Sequence, residues 1–169
     1  MPHALIARQP IVDAEVRVQG YELLFRDQRH ELPPGFDGDV ATATVAINTL
    51  LDLGLRTVAG DHLVYVNMTR AFLTRELYTA LPPERVVLEV LEDIRPDVEV
   101  LAAVRRARDL GYRIALDDYV HDEARAPLLE LADVVKVEAP ELDDTALAEH
   151  ARLLRRPGLT LLAEKIETQ

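Results

Sequence analysis

The sequence of 169 residues contains no cysteine. Neither a disulfide framework nor a thiolate metal site can therefore be built, and nothing in the chain favours secretion. No apolar run reaches the roughly 18 to 20 residues of a membrane span, and the N-terminal residues lack the basic and long apolar regions of a signal peptide. We therefore expect a cytoplasmic protein that does not enter a membrane.

Basic residues are also few. Lys and Arg number 19 against 30 Asp and Glu, which gives a formal net charge of -11. Most of the surface would repel a nucleic-acid polymer, so that class of partner is not expected. A small anionic ligand is still compatible with this charge if a cation lies between it and the acidic residues, and the carboxylates can themselves recruit that cation.

Short apolar, β-branched runs alternate with stretches of helical periodicity, a pattern typical of parallel strands joined by crossover helices in an α/β fold. The composition, 49% hydrophobic and 29% charged, suits one domain with one core. Strands are predicted at Leu5–Val12, Val16–Phe25, Leu63–Asn67, Val86–Leu91, Arg113–Asp117, Val134–Glu138 and Thr160–Lys165. Helices are predicted at Val40–Leu53, Arg70–Leu81, Val98–Leu110, Ala124–Leu131 and Thr145–Leu154, with a surface loop at Gln28–Gly38.

The polar residues at the strand ends decide between two folds that share this alternation, the doubly wound sheet and the TIM barrel. No glycine-rich phosphate loop follows the first strand. Nearly every predicted strand instead ends in an acidic or amide residue: Glu22, Asn67, Glu89, Asp117, Glu138 and Glu164. Because a barrel gathers successive strand ends around one mouth, this pattern favours a TIM-barrel-like fold.

These strand ends suggest metal chemistry. Glu89 lies in an apolar run where an unpaired charge would be strongly unfavourable. A salt bridge would explain any one such residue, but six strands in register favour one or two hard cations such as Mg²⁺ or Mn²⁺. Lys136 would either neutralise a carboxylate or hold or deprotonate a water. The residues alone leave open an enolase-type barrel with Lys136 as base and a two-metal phosphodiesterase.

Seven motifs follow one another from about Arg8 to the last residue. They are Arg8-Gln9-Pro10-Ile11-Val12-Asp13, Gly20-Tyr21-Glu22-Leu23-Leu24-Phe25-Arg26, Val66-Asn67-Met68-Thr69, Leu88-Glu89-Val90-Leu91-Glu92, Ala115-Leu116-Asp117-Asp118-Tyr119, Val135-Lys136-Val137-Glu138 and Ala163-Glu164-Lys165-Ile166-Glu167-Thr168. In this order they resemble the motifs of the EAL domain, a TIM-barrel module that hydrolyses or senses cyclic di-GMP. The resemblance implies that residues 1–169 form a partial EAL domain, with about six parallel strands plus an N-terminal one and no second domain.

The same resemblance implies a role for each matching residue. The implied metal ligands are Glu22, Asn67, Glu89, Asp117, Asp118 and Glu138, for two Mg²⁺ or Mn²⁺ ions. The implied catalytic residues are Lys136 and Glu164, which position the attacking water, with Glu167 as support; Gln9 and Arg26 are the implied contacts to cyclic di-GMP. Metal-activated water would then linearise the cyclic dinucleotide. No histidine is expected among the ligands.

Two departures from the family pattern support an alternative, a degenerate domain that binds cyclic di-GMP or another protein without catalysis. The family's glycine loop after the paired aspartates is replaced by Val120–Arg125, so Asp122 and Glu123 are expected in an irregular loop with weakened coupling to a dimer. Glu138 stands where the family has Asp, one methylene shorter.

Two sequence variants, Tyr-Glu-Leu-Leu-Phe-Arg and Ala-Glu-Lys-Ile-Glu-Thr, resemble the bacterial subgroup in which an EAL domain precedes an HDOD domain. This implies a longer parent protein with a C-terminal HDOD domain. The last two barrel strands are not in the sequence, since a full barrel takes about 250 residues. The first and last strands are therefore expected to have open edges, and the protein is expected to self-associate across them.

Overall fold

The computed structural model describes residues 5–26, 47–48, 50–51, 53–120, 122–138, 152 and 154–164. Seven strands form one sheet in chain order: β1 Leu5–Val12, β2 Val18–Arg26, β3 Leu63–Met68, β4 Val86–Val90, β5 Arg113–Leu116, β6 Val134–Glu138 and β7 Thr160–Glu164. β1 is antiparallel to β2, and all later neighbours are parallel. The helices are α1 Leu55–Ala59, α2 Arg70–Thr74, a 3-10 helix at Leu77–Ala80, α3 Val98–Asp109 and α4 Ala126–Leu129.

This arrangement confirms the predicted incomplete TIM-barrel-like fold, with six parallel strands and one antiparallel N-terminal strand. Within the described residues, β1 and β7 each pair on one side only, so the sheet does not close. No helix in the described part of the chain is long and apolar enough to cross a membrane.

The outer face of the sheet carries the main core. All five residues of β4 are buried, because its outer face is covered by helices and its inner face by other strands' side chains. Val86, Leu88 and Val90 share a core cluster with Val100 and Val104 of α3. Each fully buried side chain of this size contributes about 1.5 to 3 kcal/mol to folding.

Helix α3 has the signals that its sequence predicts. The side chain of Asp97 accepts a hydrogen bond from the Val100 N–H at 2.9 Å and so caps the first turn. Arg106 and Arg108 lie in the last turn, where positive charge favours the helix dipole. The chain then leaves the helix through Gly111, at φ 93°.

Three predicted elements differ from the structure by more than one residue at a boundary. β2 begins at Val18 rather than Val16, because Val16 has a φ of 62° in a turn that the Asp13 side chain closes by accepting the Arg17 N–H. The predicted helix Arg70–Leu81 is broken where Glu76 adopts a left-handed φ of 55°. The predicted helix Ala124–Leu131 is shortened to α4.

Other predicted elements lie wholly or mostly outside the described residues. The loop Gln28–Gly38 is outside them entirely. Of the predicted helix Val40–Leu53, residues 47, 48, 50, 51 and 53 are described and helical; of Thr145–Leu154, only residues 152 and 154 are described, and both are helical.

Candidate active site at the carboxyl ends of the strands

The inner face of the sheet has two layers of side chains. The apolar layer consists of Tyr65, Val87, Ala115 and Val134, which pack together with Ile11, Leu63 and Leu162. Side chains two residues apart on a strand point to the same face. The residues two positions further along are therefore on the inner face as well, and they are polar: Asn67, Glu89, Asp117, Lys136 and Glu164. With Glu22 from β2 they form the charged layer.

Gly20 allows β2 to lie close to the apolar layer. A Cβ on this residue would be 2.9 Å from Tyr65 Cε2 and 3.1 Å from the Leu63 carbonyl oxygen, both too close for a side chain. The absence of a side chain at this position therefore makes room for the Tyr65 ring beneath the charged layer.

Lys136 stands at the centre of the charged layer. Its Nζ lies 2.7 Å from Asp117 Oδ1, 2.8 Å from Glu164 Oε1, 3.0 Å from Glu89 Oε1 and 3.2 Å from Glu22 Oε2. The side chain of Lys136 is 1% exposed and that of Glu89 is 0% exposed. One buried ammonium thus faces four carboxylates from β2, β4, β7 and the end of β5, and this leaves an excess of negative charge.

Burial and charge shift the pKa values of this layer. Burial raises the pKa of Glu89 to about 8, although Lys136 opposes the shift. Burial also raises the pKa of Glu164, again against Lys136. Burial lowers the pKa of Lys136, but the carboxylates around it, Glu89 foremost, outweigh that effect and leave the pKa above its ordinary value. The carboxylates around Lys136 therefore favour its ammonium form.

Several oxygen atoms of the site are buried without a hydrogen-bond partner in the described part of the chain. They are Asn67 Oδ1, Glu89 Oε2 and Asp118 Oδ1, whereas Glu89 Oε1 lies 3.0 Å from the Lys136 ammonium. Buried polar atoms are nearly always satisfied in proteins. Oxygens of amide and carboxylate type that point together and have no donor are what a hard cation requires.

Asp117 and Asp118 both reach the site although they are adjacent in sequence. Consecutive residues of an extended strand point to opposite faces, but Asp118 has a φ of 40° in a bend directly after β5, so the extended alternation ends there. Ligand atoms of Asp117, Asp118 and Glu92 consequently lie within 4.8 Å of one another. Glu92 is not among the predicted site residues, and its position at the end of the Leu88–Glu92 motif is the sequence signal that points to it.

Of the remaining predicted site residues, Gln9 and Glu138 lie next to the site, and two others lie outside the described residues. Gln9 is the cross-strand partner of Glu22 in the antiparallel β1–β2 pair, so the two side chains share the inner face. Glu138 pairs with Glu164 at the ends of β6 and β7 and is half-buried. Glu167 and the side chain of Arg26 lie outside the described residues.

The chain is similar to known proteins in both sequence and fold. No protein-family model matches the chain. The chain is 34% identical over 167 residues to the cyclic di-GMP phosphodiesterase CdgJ of Vibrio cholerae, covering 97% of this chain and 39% of that protein. Its fold matches the Bacillus subtilis YkuI protein, a structure with an EAL domain in complex with cyclic di-GMP and calcium, with a TM-score of 0.73 and 23% identity over 98% of this chain and 49% of the other. The chain has the fold of an EAL domain.

A second solved structure with a similar fold is BlrP1 of Klebsiella pneumoniae, in complex with cyclic di-GMP and calcium. It has a TM-score of 0.72 and 24% identity, over 98% of this chain and 50% of the other. A BlrP1 complex with manganese and cyclic di-GMP matches as well, with a TM-score of 0.68. The chain thus spans about two fifths of the length of CdgJ and half of the two solved chains.

Proposed function

We propose that this EAL domain is the catalytic part of a divalent-cation-dependent phosphodiesterase that linearises cyclic di-GMP. The observation that carries the proposal is the charged layer, in which one Lys136 ammonium faces four carboxylates. A purely structural layer of this kind would be costly, because buried charges need balanced partners. Divalent cations supply the missing positive charge.

The residues of the site fit such cations. Asn67, Glu89 and Asp118 have buried oxygens without donors, and Asp117 and Glu92 converge with Asp118. Two Mg²⁺ or Mn²⁺ ions would be held by Glu22, Asn67, Glu89, Asp117 and Asp118, with Glu138 beside the second. When bound, the cations supply charge that stabilises the phosphate in the transition state and lower the pKa of a coordinated water.

The chain's own polar groups complete the chemistry. Lys136, fixed by Asp117 and Glu164, presents a permanent ammonium close to where a phosphate oxygen becomes more negative. Glu164 is held by that ammonium and positions the attacking water, with Glu167 as a further support. Gln9, exposed and opposite Glu22, faces the site from the edge of the sheet and contacts the nucleotide together with Arg26.

The similarity of this chain to proteins that hydrolyse or bind cyclic di-GMP favours this molecule as its substrate. CdgJ is named a cyclic di-GMP phosphodiesterase, and YkuI and BlrP1 are in complex with cyclic di-GMP. Its two phosphodiesters are anionic, whereas this chain has a formal net charge of -11. Cations between phosphate and carboxylates reconcile the two, since they turn an acidic cleft into an anion site.

The test is an incubation of the full-length parent protein with cyclic di-GMP and either Mg²⁺ or Mn²⁺, since the segment of 169 residues alone is expected to be inactive. We expect the linear dinucleotide as product, no product with EDTA, and none from Glu89→Gln, which removes one buried ligand charge at nearly constant volume. Turnover in EDTA, or full activity of Glu89→Gln, would contradict the proposal.

The second candidate is a domain that binds cyclic di-GMP without hydrolysing it. The loop Val120–Arg125, which has no glycine, and the longer side chain of Glu138 favour it, since Mg²⁺ tolerates displaced ligands poorly. Cation-dependent binding of cyclic di-GMP with no product over many hours would select this candidate.

We place the domain in a bacterial cytoplasmic signalling protein with a C-terminal HDOD domain, on the sequence variants described above. We also propose that the domain self-associates, with the outer edge of β1, which has no strand beside it in the described residues, as the contact. Light scattering of the purified protein tests the second point: a monomer at high concentration would contradict it.

A further inference from the structure

The segment between β5 and α4 contains a left-handed aspartate that needs support. Asp118 has a φ of 40°, a left-handed backbone conformation that residues other than glycine seldom adopt. It costs about 1 to 3 kcal/mol. Without it Asp118 would point away from Asp117, and their ligand atoms would not lie within 4.8 Å of each other and of Glu92. Neighbouring groups must therefore hold the backbone in this shape.

Two backbone hydrogen bonds hold the segment from either side. The Asp117 N–H donates to the Val90 carbonyl of β4 at 3.0 Å, and the Tyr119 N–H donates to the Lys136 carbonyl of β6 at 2.9 Å. The residues on either side of Asp118 are therefore each held by a hydrogen bond to a neighbouring strand. The position of Tyr119, 1% exposed, then determines how Asp118 is presented.

Arg125 contacts both neighbours of Asp118, Asp117 and Tyr119. Its guanidinium carbon lies 5.3 Å from the centroid of the Tyr119 ring, and its Nη2 donates a long hydrogen bond of 3.5 Å to the Asp117 carbonyl. Its Nε is buried and has no hydrogen-bond partner among the residues that the structure describes. The Arg125 backbone is fixed in turn, since its N–H donates to Asp122 and its carbonyl accepts from α4.

We propose that Arg125 is a positioning residue for the cation ligands Asp117 and Asp118, acting through Tyr119 and the Asp117 carbonyl. The inference rests on the cation-dependent function proposed above. The loop Val120–Arg125 has no glycine, unlike the family pattern, and Arg125 holds its backbone in place instead. Its planar guanidinium suits this task because it stacks and donates at the same time, which a lysine does not do.

The sign of the effect separates positioning from simple electrostatics. A positive side chain beside a cation site repels the cation, so its removal would strengthen cation binding if charge were its only influence. Positioning predicts the reverse. Residues that orient metal ligands from behind typically change metal affinity or activity by about 10- to 100-fold when they are removed.

The experiment measures Mn²⁺ affinity of the purified protein by calorimetry for wild type, Arg125→Ala, Arg125→Lys and Arg156→Ala. Arg156 is the matched control: it is half-buried and donates to the Leu129 and Ala132 carbonyls at the far end of α4, away from the carboxylates. Thermal melting checks that each variant is folded. Turnover of cyclic di-GMP is measured in parallel in the full-length parent protein, with kcat and KM separated.

We expect Mn²⁺ affinity to fall about tenfold or more in both Arg125 variants and to stay within about twofold of wild type in Arg156→Ala. Unchanged or tighter Mn²⁺ binding in Arg125→Ala would overturn the positioning role while leaving the proposed phosphodiesterase intact. Mn²⁺ binding by wild type without any turnover would overturn the phosphodiesterase alone, because the affinity series still decides the role of Arg125. A wild-type protein that binds no Mn²⁺ would overturn both.

Discussion

The apolar and charged layers of the inner face lie two residues apart on the same strands, yet they have opposite properties. In the apolar layer, Tyr65, Val87, Ala115 and Val134 fill space and leave no charge to balance. In the charged layer, Lys136 and Glu89 are as buried as these apolar side chains, and the other three carboxylates are 12 to 17% exposed, in positions where apolar side chains would stabilise the fold more. The contrast indicates that the first layer stabilises the sheet and that the second is retained for chemistry.

The largest expected effect follows from Lys136→Met, which leaves the buried carboxylates without their ammonium. Removing one partner from a buried charge network typically costs about 3 to 5 kcal/mol. We expect a loss of this size in the free energy of unfolding, measured with urea at neutral pH, together with loss of turnover. Millimolar Mg²⁺ should recover part of the stability, and an unchanged unfolding free energy would refute the central role of Lys136.

The second effect is a dependence of stability on pH that originates in the charged layer. Burial raises the pKa of Glu89 from 4.5 to about 8, so the folded state holds a proton that the unfolded state releases. The corresponding stability is complete below about pH 4.5 and is lost as the pH rises through 8, a loss on the order of a few kcal/mol.

This pH dependence is measured by urea unfolding of the metal-free protein from pH 5 to 9. Glu89→Gln is the matched variant because it cannot ionise. Relative to Glu89→Gln, wild type should lose stability as the pH rises toward 8. Added Mg²⁺ should reduce this loss. Parallel pH profiles would show that Glu89 ionises normally.

A smaller effect is expected from Val87→Ala in the apolar layer. The truncation leaves a small cavity beneath the charged layer and should cost about 1 to 3 kcal/mol. Affinity for Mn²⁺ should remain within about twofold of wild type after correction for the folded fraction. A variant that keeps its stability but loses cation binding would erase the distinction between the two layers.

The smallest effect concerns charges at the surface. Arg70 Nη2 lies 2.8 Å from Asp97 Oδ2 and 2.6 Å from Glu99 Oε2, with all three side chains partly exposed. Because exposed ion pairs contribute about 0 to 1 kcal/mol, Arg70→Ala should lower the free energy of unfolding by less than about 1 kcal/mol, with a further decrease of the difference in high salt. A loss comparable to that of Lys136→Met would mean that burial is not what separates the two networks.

The charged layer could be predicted from sequence because burial and charge conflict visibly there. Glu89 in a run of Val and Leu, and Lys136 between valines, violate the apolar pattern of a parallel strand, and such violations mark functional positions. The alternation of side chains then places them on one face. The parallel order of the strands follows from the alternation with helices.

Arg125 and the left-handed Asp118 could not be predicted in the same way. A single arginine in a polar loop has no local pattern, and its stacking on Tyr119 depends on the three-dimensional path of the loop. The φ of Asp118 is set by hydrogen bonds to β4 and β6, which are distant in sequence. Val16 illustrates the same point, since a turn closed by Asp13 displaced the start of β2 by two residues from its predicted place.

The strictly sequential order of the seven strands has a consequence for how the domain folds. Each strand pairs with the one synthesised just before it, so the sheet can grow from the β1–β2 hairpin while the chain emerges from the ribosome. Glu22, Glu89 and Asp117 are then in place before β6 delivers Lys136. Until that moment the growing sheet holds carboxylates without the Lys136 ammonium, so these early strands depend on protons or cations from solution to balance their charge.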